Sequence, residues 1–223
     1  MKLFYHYCRQ GFSNCYVLGT DIPEEDESGD AAGSRELPRQ DSLLREAVIV
    51  DPGEMAEQIL RFIENNDYNL RGVLITHDHL NHVRGLDTLK RIYRTEIYAV
   101  NPVIREYRTN MVRDGDLIAV GSFKFQVIST PGHSSDSAVF LTERLLFTGD
   151  SLSAGLVGRT ASAYGAKVQM TALRSKILSL PGDFTVLPAH GPPSTLEAER
   201  RYNAGIKFYE HNWDHRPRFR IDT

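Results

Sequence analysis

The sequence contains no apolar run that approaches the ~20 consecutive residues a membrane-spanning helix needs. Its first residues, MKLFYHYCRQGF, mix aromatic and polar side chains and lack the uninterrupted apolar stretch of a signal peptide. We therefore expect neither a membrane-spanning nor a secreted protein, and the predicted location is the cytoplasm.

Cysteine is also scarce, since Cys8 and Cys15 are the only two in the 223 residues. They lie close together in the chain and outside CxxC spacing, so they do not make the disulfide framework of a small secreted domain. We interpret both as structural thiols in a reduced compartment. His6, in the same aromatic segment, is expected to be packed rather than to bind a metal.

An excess of positive charge is missing as well. The chain has 26 basic and 29 acidic residues, which gives a formal net charge of −3. Without a basic excess, neither nucleic acid nor an anionic membrane is an expected partner. The predicted partner is a small-molecule substrate, and no feature of the sequence specifies an oligomeric state.

The composition itself is that of an ordinary globular protein, over a length that suits one or two domains. No shift in composition marks a boundary, so we predict a single α/β domain over residues 1–223. Acidic residues crowd into positions 21–30, and residues 21–45 are predicted to form a polar surface loop. A short C-terminal helix and a tail are predicted to end the chain.

Short apolar segments alternate with segments of helical spacing. AVIV at 47–50 and GVLI at 72–75 are typical of buried strands, and apolar residues then recur three or four apart over 54–65 and 81–93. Further helices are predicted over 102–108, where Pro102 takes a favoured first position, over 168–178 and over 193–209. Strands in both halves of the chain predict two stacked sheets with helices outside them.

The histidines carry most of the chemical information. Three of the eight fall in one stretch, Thr76-His77-Asp78-His79-Leu80-Asn81-His82, directly after GVLI and at the start of a predicted helix. His77 and His79 can point toward one position from an extended turn, and His82 can join them. Because imidazole is a common ligand of zinc and iron, this stretch predicts a metal site.

Three further candidate ligands also follow predicted strands. His133 lies in TPGHS, His190 lies in PAHGP, and Asp150 ends RLLFTGD. Residues at strand ends can meet at one edge of a pair of stacked sheets, so we expect these three to converge with the first histidines. The sequence thus predicts one metal centre with five histidines and one carboxylate.

The order of these motifs resembles that of the metallo-β-lactamase fold superfamily: THxHxxH, then PGH, TGD and PAHGP, preceded by the acidic turn VDPG at Val50–Gly53. The resemblance implies a four-layer αβ/βα sandwich of two mixed β-sheets flanked by helices, with the metal site at one sheet edge. It also implies six metal ligands: His77, His79 and His133 for the first metal, His82 and His190 for the second, and Asp150 bridging both.

The chain departs from the superfamily pattern at Asn81, where the HxHxDH motif has an aspartate. A neutral amide oxygen is a weaker ligand of a divalent ion than a carboxylate, and it cannot take a proton during turnover. The site could hold two metals, with the second bound weakly. It could instead hold one metal at His77, His79, His133 and Asp150, or it could keep only a binding role.

The stretch Gly149–Thr160 resembles the GDxLFxxxxGRTD segment of the glyoxalase II-like branch, although Ser153 and Ala161 replace the usual phenylalanine and aspartate. The resemblance implies a metal-dependent hydrolase of a thioester or related ester, with a metal-bound hydroxide as the nucleophile. The expected cofactor is zinc, as one or two ions, with iron as an alternative.

Within this hydrolase interpretation, Asp150 and Asn81 are the candidate catalytic positions. Arg159 and Tyr164 are the candidate substrate-binding residues, since a guanidinium can hold a substrate carboxylate and the tyrosine lies in the same segment. Two alternatives stay open. One is a mononuclear iron persulfide dioxygenase, whose single iron is held by two histidines and a carboxylate. The other is a metal-binding scaffold without catalysis.

Overall fold

The computed structural model describes residues 1–21 and 45–214. The predicted polar loop at 21–45 falls almost entirely outside the described residues, and so does the predicted tail. Within the described ranges, two six-stranded sheets carry helices on their outer surfaces. This arrangement confirms the predicted α/β fold of two mixed sheets with flanking helices. No helix in those ranges is long and apolar enough to cross a bilayer.

The first half of the chain builds one sheet. Its elements are β1 Lys2–Cys8, β2 Ser13–Gly19, β3 Glu46–Val50, α1 Glu57–Asn65, β4 Asn69–Leu74, α2 Leu80–Val83, α3 Leu86–Ile92, β5 Glu96–Ala99, β6 Val103–Ile104, β7 Tyr107–Arg108 and β8 Asn110–Met111. The strand order is β1-β2-β3-β4-β5-β8. β1, β2 and β3 pair antiparallel, whereas β3, β4, β5 and β8 pair parallel. β6 and β7 form a separate hairpin.

The second half builds the other sheet. Its elements are β9 Leu117–Val120, β10 Phe123–Ser129, β11 Ala138–Thr142, β12 Leu145–Gly149, β13 Leu152–Ser153, β14 Leu156–Val157, α4 Ala163–Ala172, a π-helical turn Leu173–Ile177, β15 Thr185–Pro188, β16 Ser194–Thr195, α5 Leu196–Tyr202 and α6 Ala204–Asp214. The strand order is β16-β15-β12-β11-β10-β9, and only the β12–β15 pair is parallel. β13 and β14 form a small hairpin.

The core follows from the alternation of side chains along each strand. On β2, Tyr16 and Leu18 point between the two sheets, while Cys15 and Val17 point toward α1 and α3. The inter-sheet layer also contains Phe140 and Phe147 from the second sheet. A third apolar layer lies between the second sheet and the helices α4, α5 and α6. Packing in these layers holds the two sheets together and so positions the loops that extend from their shared edge.

The structure differs from the sequence-based elements in two instructive places. The predicted helix over 102–108 is wrong, because the backbone of Arg105 lies in the left-handed region (φ 54°) and turns β6 back on β7. The predicted helix over 81–93 is divided between α2 and α3. Gly85 separates them, and its N–H donates a 2.8 Å hydrogen bond to the carbonyl of Pro52.

Candidate metal centre

The six predicted ligands meet at one sheet edge, because each lies in a loop or turn that follows a strand or at the helix start beside it. His77 and His79 follow β4, and His82 lies in α2. His133 follows β10, Asp150 follows β12 directly, and His190 follows β15. The structure brings all of them together in two groups that share Asp150: His77, His79, His133 and Asp150, and then His82, Asp150 and His190.

The first group has the spacing of a tetrahedral metal site. His79 Nδ1 lies 2.9 Å from His77 Nε2 and 3.0 Å from His133 Nε2. Asp150 Oδ2 lies 3.2 Å from His133 Nε2 and 3.8 Å from His77 Nε2. Four ligand atoms about 2.0–2.1 Å from a tetrahedral zinc ion lie roughly 3.3 Å from one another. The three imidazoles and the carboxylate therefore fit one divalent ion.

The second group faces the other oxygen of the same carboxylate. Asp150 Oδ1 lies 3.4 Å from His190 Nε2 and 3.6 Å from His82 Nε2. Asp150 Oδ1 and His82 Nε2 are both buried and have no hydrogen-bond partner. Leaving a buried polar atom unsatisfied costs about 1–3 kcal/mol. A divalent ion between these atoms would satisfy both, so the donor set fits a second metal as well.

Hydrogen bonds on the far side of the rings determine which nitrogen faces the centre. His133 Nδ1 donates to the carbonyl of Arg159 at 2.7 Å, and His190 Nδ1 donates to the carbonyl of Phe12 at 2.6 Å. A carbonyl oxygen can only accept, so each Nδ1 carries the proton. The Nε2 lone pairs of both histidines are consequently free to bind a metal.

Asp51 orients two of the remaining three histidines, His82 directly and His77 through Thr76. Its carboxylate accepts hydrogen bonds from the Thr76 N–H at 2.8 Å and the Thr76 hydroxyl at 2.6 Å, and it lies 3.0 Å from His82 Nδ1. The same Thr76 oxygen lies 3.1 Å from His77 Nδ1. The sequence interpretation did not assign Asp51 this role, although the VDPG motif that contains it was the available signal.

Asn81 lies beside the second group, where its side-chain Nδ2 is 3.2 Å from His190 Nε2. Its backbone is tightly packed: the Ser13 hydroxyl donates to the Asn81 carbonyl at 2.6 Å, and a Cβ added at Gly53 would lie 2.2 Å from that oxygen. The backbone therefore fixes the position of the amide. Rotation of the amide by half a turn presents its oxygen, rather than its nitrogen, to a cation.

The protonation of the ligands also suits metal binding. Burial, together with the neighbouring histidines, lowers the pKa of His77 and of His79. Both rings are therefore neutral at neutral pH, which is the form that binds a metal. Burial would lower the pKa of His82 too, but the charge and hydrogen bond of Asp51 outweigh it and raise that pKa. Cation binding at His82 must therefore compete with a proton.

A cleft of about 410 Å³ opens beside the two groups. His133, Asp150 and His190 form its floor, and Leu156 and Arg159 are among the residues of its wall. Arg159 thus lines the same cleft as three of the candidate ligands, and its contact with a substrate stays a prediction. Tyr164 does not line this cleft, since its side chain lies on α4 and is 77% exposed.

Comparison with known proteins agrees with this geometry. Residues 41–201 match the family model described as the metallo-beta-lactamase superfamily. The hydroxyacylglutathione hydrolase GloC of Haemophilus influenzae is 30% identical over 183 residues, which cover 71% of this chain and 86% of the relative. The hydroxyacylglutathione hydrolase of Idiomarina loihiensis is 36% identical over 145 residues, which cover 64% of this chain and 55% of the relative. The chain thus spans about half the length of that second relative.

A solved structure gives the same result for the fold. The crystal structure of ETHE1 from Myxococcus xanthus is 25% identical to this chain and superposes with a TM-score of 0.73. The superposition covers 96% of this chain and 91% of the other.

Proposed function

The chain belongs to the metallo-beta-lactamase superfamily, and on that premise we propose that it is a metal-dependent hydrolase of a small-molecule thioester or related ester. The main support is the pair of ligand groups joined by the two oxygens of Asp150. The identity to hydroxyacylglutathione hydrolases over the same region supports the hydrolase class. Zinc is the proposed metal, with iron as the alternative.

A divalent metal bound here supplies Lewis-acid chemistry, because it lowers the pKa of water to near 7 and polarises a carbonyl. The chain supplies orientation: Asp51 and Thr76 hold the rings of His82 and His77 so that Nε2 faces Asp150. Asp150 is the one carboxylate among the six ligands, and the neutral amide at position 81 neither gains nor loses a proton near neutral pH.

The residues that line the cleft favour a substrate in which an anionic group lies near the acyl group. Arg159 lines the wall next to His133, and a guanidinium pairs with a carboxylate through two parallel hydrogen bonds. Leu156, which is 59% exposed in the same wall, offers an apolar contact. Because a thiolate is a good leaving group, thioester cleavage needs little help from a general acid.

The test is a hydrolysis assay with the zinc-reconstituted chain on matched pairs of thioesters, with and without a carboxylate beside the acyl group. We expect turnover of the carboxylate thioester and an increase in its KM of about tenfold or more in Arg159→Gln, with little change for the neutral partner. Tyr164→Phe is the matched control, because that side chain lies outside the cleft. Absence of turnover on both pairs, with metal bound, would overturn the hydrolase proposal.

A second candidate is a mononuclear iron persulfide dioxygenase, and Asn81 is the observation that favours it. Replacing the acidic ligand weakens the second position and leaves His77, His79, His133 and Asp150 as a one-metal set. Oxygen uptake by the iron-loaded chain with glutathione persulfide, and none with the zinc-loaded chain, would support this function. Metal binding without turnover in either assay would favour the non-catalytic scaffold.

A further inference from the structure

A second group of metal-binding side chains lies on the hairpin of β1 and β2, apart from the centre described above. His6 and Cys8 are two apart on β1 and therefore share one face of the strand. Glu54, from the turn before α1, reaches the same face, and its Oε1 lies 3.1 Å from His6 Nε2. One nitrogen, one sulfur and one oxygen of these three residues all lie within 4.8 Å of one another.

The three donor types suit a cation of borderline hardness, such as zinc. Imidazole, thiolate and carboxylate are the ligands that zinc takes in proteins, at about 2.0–2.3 Å. Ligand atoms at those distances from a tetrahedral ion lie roughly 3.3–3.8 Å apart. The most widely separated pair of the three ligand atoms must therefore approach by up to about 1 Å. Its charge is also suitable, because one thiolate and one carboxylate neutralise a divalent ion and a ligating imidazole adds no charge.

The environment of Cys8 favours its thiolate form. The Cys15 thiol and the Glu54 N–H both hydrogen-bond to the Cys8 sulfur and, against the effects of burial and of the Glu54 charge, lower the pKa of Cys8. Burial raises the pKa of Cys15 well above its usual range, so Cys15 stays a neutral donor. Cys15 therefore supports the sulfur of Cys8 and is not itself a ligand.

An access path reaches this group from solvent. A second cleft of about 410 Å³ is lined by Gln10, Glu54 and Arg84, among others. The side chains of His6 and Glu54 are 14% and 16% exposed, whereas Cys8 is fully buried. Because Glu54 belongs both to the cleft and to the group, a cation can approach the group at the Glu54 carboxylate.

We propose that His6, Cys8 and Glu54 form a second binding site for a zinc-class divalent cation, beside the cleft at Gln10. This assignment replaces the sequence-based interpretation of His6 as a packed residue and of Cys8 as a purely structural thiol. It does not depend on the hydrolase function, because none of its three ligands belongs to the His77–Asp150 centre.

Cobalt(II) titration of the metal-depleted full chain tests the proposal through a signal that only this site can give. Cys8 and Cys15 are the only thiols in the chain, and the six ligands of the main centre include no sulfur. A cobalt–thiolate charge-transfer band must therefore arise on this hairpin. We expect the band in the wild type, its retention in His133→Ala and Cys15→Ser, and its loss in Cys8→Ser.

A further variant, Glu54→Gln, tests the carboxylate. We expect it to weaken cobalt binding, measured by the thiolate band, by about tenfold or more. The wild type alone also provides a measurement, in case Cys8→Ser does not fold: added zinc should displace the cobalt and abolish the band. Absence of the band at saturating cobalt in folded wild-type protein would overturn the proposal. A band that persists in Cys8→Ser but disappears in Cys15→Ser would overturn the ligand assignment.

Discussion

Asn81→Asp is the substitution that tests most directly how this chain binds its second metal. In the wild type, Asp150 is the only carboxylate among the six ligands, and the Asn81 amide lies 3.2 Å from His190. The variant adds a negative charge at a position whose backbone is already fixed by Ser13 and Gly53. It therefore changes the charge of the second position with little change in its shape.

The size of the effect follows from the distances. A full negative charge about 4 Å from a divalent ion contributes roughly 8 kcal/mol at an effective dielectric constant of ~20. His190 Nε2 lies between Asn81 and Asp150, 3.2 Å from one and 3.4 Å from the other. Two carboxylates about 6 Å apart then repel by roughly 3 kcal/mol at the same dielectric constant. Loss of the Asn81–His190 hydrogen bond costs about 1 kcal/mol more.

Solvent reduces the remaining gain in the binding free energy of the second metal, because the His190 side chain is 38% exposed and the centre is open to the cleft. We expect the second metal to bind about 10–100-fold more tightly in Asn81→Asp, which corresponds to roughly 1.4–2.7 kcal/mol. The affinity of the first metal should change much less, since the Asn81 amide hydrogen-bonds to His190 of the second group.

The assay is a zinc titration of the metal-depleted protein against a chromophoric chelator, which resolves the two equivalents. Asn69→Asp is the matched control, because Asn69 is exposed at the far end of β4 from His77 and receives the same charge. A second dissociation constant that is equal in the wild type and Asn81→Asp would refute the electrostatic account of position 81. If Asn69→Asp tightened the binding of the second zinc ion equally, the effect would not be specific to position 81.

The other predictions concern the ligands, their support and one surface ion pair. His133→Ala should leave the first position without one of its three imidazoles and abolish turnover, which metal content per chain and the thioester assay together measure. Asp51→Asn should weaken metal binding by about 10–100-fold, since it disturbs the carboxylate that orients His82; unchanged affinity would contradict this role. Burial raises the pKa of Asp114, but the hydrogen bond and charge of Lys176, together with the hydrogen bond from the Ser129 N–H, outweigh it and lower that pKa overall. A lowered carboxyl pKa stabilises the fold above the usual value of about 3.9 and loses that effect as pH falls through the folded-state value. The Tm difference between wild type and Lys176→Met should therefore shrink on acidification, and a constant difference would refute the assignment.

The local sequence pattern was sufficient for much of the site. The stretch from His77 to His82 and the placement of His133, Asp150 and His190 after strands predicted a metal centre at a sheet edge, and the structure places them together. The reason is that strand periodicity depends on neighbouring residues, and loops after parallel strands leave the same edge.

Other features could not be inferred from local pattern. Arg105 in the left-handed region replaced a predicted helix with the β6–β7 hairpin. The hydrogen bond of Gly85 to the distant Pro52 carbonyl divided another predicted helix. Tyr164 shares a segment with Arg159 but lies on α4 away from the cleft, since helix orientation depends on packing.

The sequence by itself therefore determined which ligand types this chain offers and the strand ends that carry them. The tertiary structure alone decided how those ligands are supported. Asp51 reaches His82 across 31 positions, and Glu54 reaches His6 across 48. Contacts at such separations form only when sheets and helices pack, because chain connectivity alone does not hold two distant side chains together against their conformational entropy.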